Sequence, residues 1–233
     1  MRDHYERALI VGVGAGLSAS LARLFAREGM RVGLAARSVD KLAGLAEETG
    51  AVTQRCDATV PEQVEALFAA MDAALGGPPD VVVFNASYRV RGPFVTLDPA
   101  EVARTLTVSA FGGFLVAQAA TKRMAPSGKG AILFTGASAS VKGYPQSAPF
   151  AMGKFALRGL AQSLARELQP QGIHVAHVVI DGGIRSARRP EPADAPDSLL
   201  DPDAIARSYL DLLHQDRSAW AWEIALRPWV ERF

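Results

Sequence analysis

Cysteine is nearly missing from this 233-residue sequence: Cys56 is the single one. No disulfide framework is available, and a reducing compartment, the cytoplasm, is the expectation. Long apolar runs are also missing. No stretch of about 18 residues reads as a membrane span, so none is expected. The start, MRDHYERALIVG, carries no apolar region of signal-peptide length. Charge of one sign is not in excess either. Lys and Arg total 25 against 24 Asp and Glu, and a net +1 creates no overall field for nucleic acid or an anionic membrane. Clusters of Cys, His and carboxylate at zinc spacing are absent, so no metal is expected. His174 and His177 lie three apart on an expected strand, where alternating side chains point to opposite faces.

What is present is an ordinary globular composition, 49% hydrophobic and 21% charged, which excludes disorder. The length suits one large α/β domain with its own core. The informative stretch is Ala8 to Gly29. An unbroken apolar run, Ala8-Leu9-Ile10-Val11, reads as a strand buried on both faces. Gly12, Gly14 and Gly16 follow at alternate positions. Leu17, Leu21, Leu24 and Phe25 then recur at helical spacing. Strand, glycine turn and helix together form a phosphate cradle. The glycines admit a close ligand, and the helix start offers free N–H groups and a positive dipole end to a pyrophosphate. A tight strand-to-helix turn in some other α/β protein is the alternative.

The rest of the chain alternates strand and helix. Further strands are expected at Arg31–Ala36, Ala51–Cys56, Asp80–Phe84, Gly130–Thr135, Ile173–Ile180 and Trp220–Leu226. Helices are expected at Ser38–Glu48 (Leu42 and Leu45 inward), from a Thr59…Glu62 capping box to Leu75, and from Asp98 to about Met124. Ala148–Leu168 and a segment opened by Asp201-Pro202-Asp203 complete the set. Such units impose right-handed crossovers, hence a mostly parallel seven-stranded, doubly wound sheet with helices on both faces, in a single domain over residues 1–233. A Pro-, Arg- and Asp-rich loop spans about 185–200.

At this level the sequence resembles the short-chain dehydrogenase/reductase family. The resemblance rests on Gly12-x-x-x-Gly16, Asp57 after the third strand, and Asn85-Ala86 after the fourth. Gly113 with Leu115 and Val116, the Lys154 helix, and Asp181-Gly182-Gly183-Ile184-Arg185-Ser186 after the sixth strand extend it. It implies a Rossmann fold, a nicotinamide cofactor across the carboxyl ends of the strands, and a homodimer or homotetramer packed through the two long helices. It makes the 185–200 loop a substrate lid, where Arg185, Arg188 and Arg189 either receive an acidic substrate or are simply solvated.

On this resemblance the cofactor contacts are Gly12, Gly14, Gly16, Leu17, Ser18, Arg37, Asp57, Ala58, Asn85, Ala86, Lys154, Ile184 and Ser186. Ser18 replaces a third glycine. NAD-specific sites carry an acid at the end of the second strand. Here that end is Ala35-Ala36, followed by Arg37, whose guanidinium suits a 2′-phosphate. NADP(H) is therefore expected over NAD(H), the alternative being that Arg37 is a surface charge.

The catalytic set departs from the family. Where Tyr-x-x-x-Lys is usual, the sequence reads Phe150-Ala151-Met152-Gly153-Lys154. Lysine is retained and the phenol is missing. The asparagine slot is Ser109. The serine slot falls on Ala137, so Ser138 serves only with a one-residue shift, and Ser140 is a second candidate. Tyr144, in the Gly143-Tyr144-Pro145 turn, either donates the proton or covers the pocket mouth. A positioned general acid is worth about 10²–10⁴ in rate, and Phe150 cannot supply it. Three explanations stay open: hydride transfer to or from a carbonyl, alcohol or conjugated C=C with another proton source; a silent NADP(H)-binding protein acting as sensor or oligomer partner; or non-redox chemistry. Phe94, Val141, Tyr144, Phe150 and Met152 suggest a small, largely apolar substrate. Trp220, Trp222 and Trp229 read as a subunit contact or core cover.

Overall fold

The computed structural model describes residues 5–230. Its strands are β1 (Arg7–Val11), β2 (Arg31–Ala36), β3 (Val52–Arg55), β4 (Val81–Phe84), β5 (Gly130–Thr135), β6 (Ile173–Ile180) and β7 (Glu223–Leu226). They form one sheet in the order β3-β2-β1-β4-β5-β6-β7, and every pairing is parallel. The order reverses direction between β1 and β4. That switch point opens a crevice beyond the carboxyl ends of the strands.

The helices are α1 (Leu17–Arg27), α2 (Ala43–Thr49), α3 (Pro61–Ala74), α4 (Pro99–Leu106), α5 (Gly112–Met124), α6 (Ala148–Leu168) and α7 (Pro202–Leu213). Alternation along the strands feeds two cores. Val82 and Phe84 of β4 pack with Phe68, Val116 and Leu157 of α3, α5 and α6. Their neighbours Val81 and Val83 pack with Leu21 and Phe25 of α1 and Tyr209 of α7 on the other face. This is why the strands carry continuous apolar runs rather than alternation.

Several local expectations are corrected. The capping box at Thr59 does not form: Val60 is the N-cap, and the Thr59 hydroxyl donates to Asp57 instead (2.7 Å). The helix expected from Asp98 begins as foreseen, with the Asp98 carboxylate accepting from the Ala100 amide at 2.9 Å. It is interrupted by a π-turn at Thr107–Phe111. Thr105 and Thr107 each donate to the carbonyl four residues back, a contact that bends helices. The helical run Pro99–Ser127 is long and apolar enough by composition to cross a membrane, an 18-residue window of it having a mean hydropathy of 1.2. Here it forms one layer over the sheet, through the Val116 face described above. The segment from Ser38 becomes a 3₁₀ turn at Asp40–Leu42 followed by α2, with Leu42 buried and Leu45 packed beside it. The final strand is shorter than expected. Trp220 stacks on His174 before it begins, their ring centroids 4.6 Å apart.

Candidate active site

Two cavities lie along the carboxyl ends of the strands. The first, of about 260 Å³, is bounded by Gly12, Arg37, Asp57, Ala58, Asn85 and Ala86, drawn from the ends of β1 to β4. Gly12 has φ +89°, and a Cβ there would fall 2.3 Å from the Ala86 amide nitrogen. Glycine at this position lets β1 pass the loop after β4. Gly14 and Gly16 differ: a Cβ on either would meet no atom within 4 Å. The space above them is open. The Ala19 amide donates to the Gly16 carbonyl (2.9 Å), and the first amides of α1 before it have no acceptor within the helix.

Ser18 and Asn85 tie this region together. The Asn85 amide donates to the Ser18 hydroxyl (2.6 Å), which donates to the Gly12 carbonyl (3.3 Å). Ser18 is buried, so it braces the turn rather than lining the cavity. Leu17 likewise buries its side chain in the core. Around Asp57, burial opposes the charge, but hydrogen bonds from the Thr59 hydroxyl and amide and the nearby Arg37 outweigh it, holding the carboxyl below its usual pKa.

The second cavity, of about 520 Å³, lies beyond β5 and β6. Its walls include Thr135, Ala137, Ser138, Tyr144, Phe150 and Ile184. Lys154 is buried beneath it. Its ammonium donates to the Thr135 carbonyl at 2.8 Å and lies 5.9 Å from the Phe150 ring centre. Burial pulls its pKa down to about 8. Ser138 reaches the cavity despite the one-residue shift. Burial works against the Asp181 charge, yet hydrogen bonds from Ser138 and Lys142 hold that carboxyl below its usual pKa. Lys142, half exposed, lies 3.0 Å from Asp181, so Ser138, Asp181 and Lys142 form a polar chain running toward solvent.

Other expected residues lie elsewhere. Ser109 is fully buried in the π-turn, its oxygen accepting from the Tyr88 amide at 3.5 Å while its Cβ packs against Gly153. Ser140 is buried and accepts from the Ala137 amide. Ser186 is exposed, paired through its backbone with Arg189. Phe94, Val141 and Met152 are exposed and do not line the cavity, so the apolar surroundings expected from them are not realised. Arg185 is engaged by Asp201 and Glu191. The His177 ring, kept neutral by burial with a pKa near 4, has its Nδ1 3.0 Å from Glu223. Among the described residues no cluster of three His, Cys, Asp or Glu could hold a metal ion.

Sequence reasoning missed Arg89 and Arg91. Both line the second cavity, and the Arg89 guanidinium lies over the Phe150 ring at 5.1 Å. They stand four and six residues beyond Asn85, past the carboxyl end of β4. That end faces the crevice in any doubly wound sheet, and this position was the available signal.

A family model described as short chain dehydrogenase matches residues 6–192, spanning β1 to the loop beyond β6. The chain belongs to the short-chain dehydrogenase/reductase family. It is 36% identical over 172 residues to (+)-borneol dehydrogenase 1 of Salvia officinalis, covering 71% of this chain and 65% of that one. A much longer curated relative is matched over only 18% of its length. A solved short-chain dehydrogenase from Rhodopseudomonas palustris superposes with a TM-score of 0.83 at 33% identity, covering 97% of this chain and all of that one. An alcohol dehydrogenase from the archaeon Thermococcus sibiricus, complexed with 5-hydroxy-NADP, gives 0.85 at 25% identity, covering 98% of this chain and 99% of that one. The doubly wound domain of this short-chain dehydrogenase/reductase is the family fold.

Proposed function

We propose that this member is an NADP(H)-dependent oxidoreductase acting on a small carbonyl, alcohol or conjugated C=C compound, with a proton source other than the usual tyrosine. One observation carries the cofactor preference: Arg37 closes the first cavity beside Asp57, and β2 ends in Ala35-Ala36 with no carboxylate. A guanidinium can fork onto a 2′-phosphate, whereas a carboxylate there would repel it. The open space above Gly14 and Gly16 fits a pyrophosphate. When bound, the cofactor supplies or receives hydride.

The protein's own residues do the rest. Lys154, buried and positive below about pH 8, is suited to hold a ribose hydroxyl. Ser138 is the proposed proton carrier. In reduction the Ser138 hydroxyl turns from Asp181 and gives its hydrogen to the developing oxyanion, and the Lys142 ammonium returns a proton to the Ser138 oxygen through the Asp181 carboxylate, then takes one from solvent. Oxidation reverses the path. Phe150 holds no proton to give.

Titration with NADPH and NADH, followed by fluorescence, tests the cofactor preference; equal affinities would overturn it. A turnover screen on carbonyls and enones with wild type and Phe150→Tyr tests the chemistry. Turnover by the wild type supports the enzyme. Turnover by the variant alone would make the natural chain a silent NADP(H) binder, the reading that Phe150 itself favours.

We also propose a homodimer or homotetramer. Phe111 and Phe114 stack at 6.1 Å on the outer face of the α4–α5 layer, exposed, and Met152 and Phe155 are exposed on α6. Apolar surface of this kind marks contact sites. A monomeric mass in light scattering would refute the assembly.

A further inference from the structure

Three guanidinium groups converge on the second cavity, those of Arg89, Arg91 and Arg189, and among the described residues no carboxylate lines it. Among the described residues none of the three joins an ion pair. The nearby acids are already engaged: Asp181 by Lys142, and Glu191 and Asp201 by Arg185. Burial, together with the charges of Arg91 and Arg189, pushes the Arg89 pKa below its ordinary value. Like charges gathered without a counter-ion destabilise one another, and an incoming anion relieves the strain.

All three arginines are exposed, and contacts within the fold tether them at the cavity. Arg89 rests on the face of Phe150, whose ring attracts a guanidinium. Arg189 exchanges two backbone hydrogen bonds of 3.0 Å with Ser186. Its guanidinium lies against Gly183, its Nη1 2.5 Å from where a Cβ would sit. The loop carrying Arg91 is tied to the segment before α6 by the Gly92 amide, which donates to the Gln146 carbonyl at 3.1 Å.

We propose that the second cavity takes a small organic anion, bearing a carboxylate or phosphate, with its charged head among Arg89, Arg91 and Arg189 and its reacting end toward Ser138. This rests on the oxidoreductase reading and narrows its substrate class. Phe150 thereby gains a positioning role. In the slot where the family keeps a phenol, its ring serves as the platform that holds Arg89.

The test is calorimetric titration of the full chain, saturated with NADPH, with butanoate, ethyl phosphate and neutral butanamide. At least one anion is expected to bind about tenfold or more tightly than butanamide, the preference shrinking as NaCl is raised. The tighter of the two anions identifies the head group. Arg89→Gln/Arg189→Gln is expected to weaken that binding by about tenfold or more while NADPH affinity stays within about twofold. Arg91→Gln provides a second variant should the double one fail to fold. Equal binding of anions and amide, no binding by any, or anion binding indifferent to the arginine changes would overturn the inference. The same titrations on cofactor-free protein keep the two readings separate. Failure to bind NADPH counts against the cofactor, whereas NADPH binding without arginine-dependent anion preference counts against the anion pocket alone.

Discussion

The two cavities share one crevice but are built differently. The first is made by strand ends and a short turn, with side chains fixed by local bonds: Asn85 to Ser18, Ser18 to Gly12, Thr59 to Asp57. Its one exposed charged wall is Arg37. The second is assembled from segments far apart in sequence, the loops after β4, β5 and β6 and the start of α6. It is lined by three arginines and by Phe150, over whose ring one of them, Arg89, lies. A ligand part common to a whole family suits a wall set by backbone geometry. A ligand part that varies suits a wall of side chains on long loops.

The largest expected effect tests the backbone wall. Gly12→Ala combines a positive φ with a Cβ 2.3 Å from a backbone nitrogen, and should destabilise the fold by about 3 kcal/mol or more in urea titration. Gly14→Ala meets no atom, and should leave stability within about 0.5 kcal/mol while weakening NADPH binding. Comparable stability losses in both would break the distinction drawn between the glycines.

Ser138→Ala tests the side-chain wall. Turnover should fall about 10²-fold or more with NADPH affinity unchanged, a loss typical of a missing proton carrier. Turnover near that of wild type would remove Ser138 from the chemistry. Arg37→Ala comes next: NADPH affinity should drop by about 10- to 100-fold, the worth of a charge-assisted pair, with NADH affinity little altered. A parallel loss for both cofactors would show that Arg37 does not read the 2′-phosphate.

Lys154 lies beneath the second cavity, and its effect is graded with pH. Its folded pKa of about 8 lies below the ordinary 10.5, so between these values the unfolded chain binds the extra proton. Stability should therefore rise with pH from about 8 to 10.5, while below about 8 the buried charge costs the folded state. Lys154→Met should flatten that limb in thermal scans. NADPH affinity of the wild type should fall as pH rises through about 8, since the ammonium is lost. The smallest effect is assigned to Tyr144, exposed at the rim at 46%. Tyr144→Phe should change turnover by less than about twofold, whereas a tenfold loss would make its phenol the missing acid.

How much was legible in the sequence follows the same divide. The limits of β2, β5, β6 and α6 could be read residue by residue, because each is a contiguous pattern bounded by glycine, proline or polar residues. The partners of the first cavity followed from strand ends. The capping role given to Thr59 failed because the helix starts one residue later, with Val60 at the N-cap, and the Thr59 hydroxyl turns back to donate to Asp57. The π-turn that buries Ser109 was illegible, since two threonines bonding back to the helix look like any others in the sequence. Arg89 and Arg91 were passed over because their meaning depends on Phe150 and Arg189, 61 and 100 residues from Arg89.

The sequence by itself determined the alternation of strands and helices, the glycine turn, the arginine at the end of β2 and the phenylalanine four residues before Lys154. These are local facts, written in apolar periodicity and in single residues at strand ends. Only the tertiary structure decided which serine faces the cavity, which residues merely brace it, and that three arginines meet at the second cavity, one of them over Phe150. Loops bring such groups together through long-range packing, and no spacing along the chain encodes where packed loops converge.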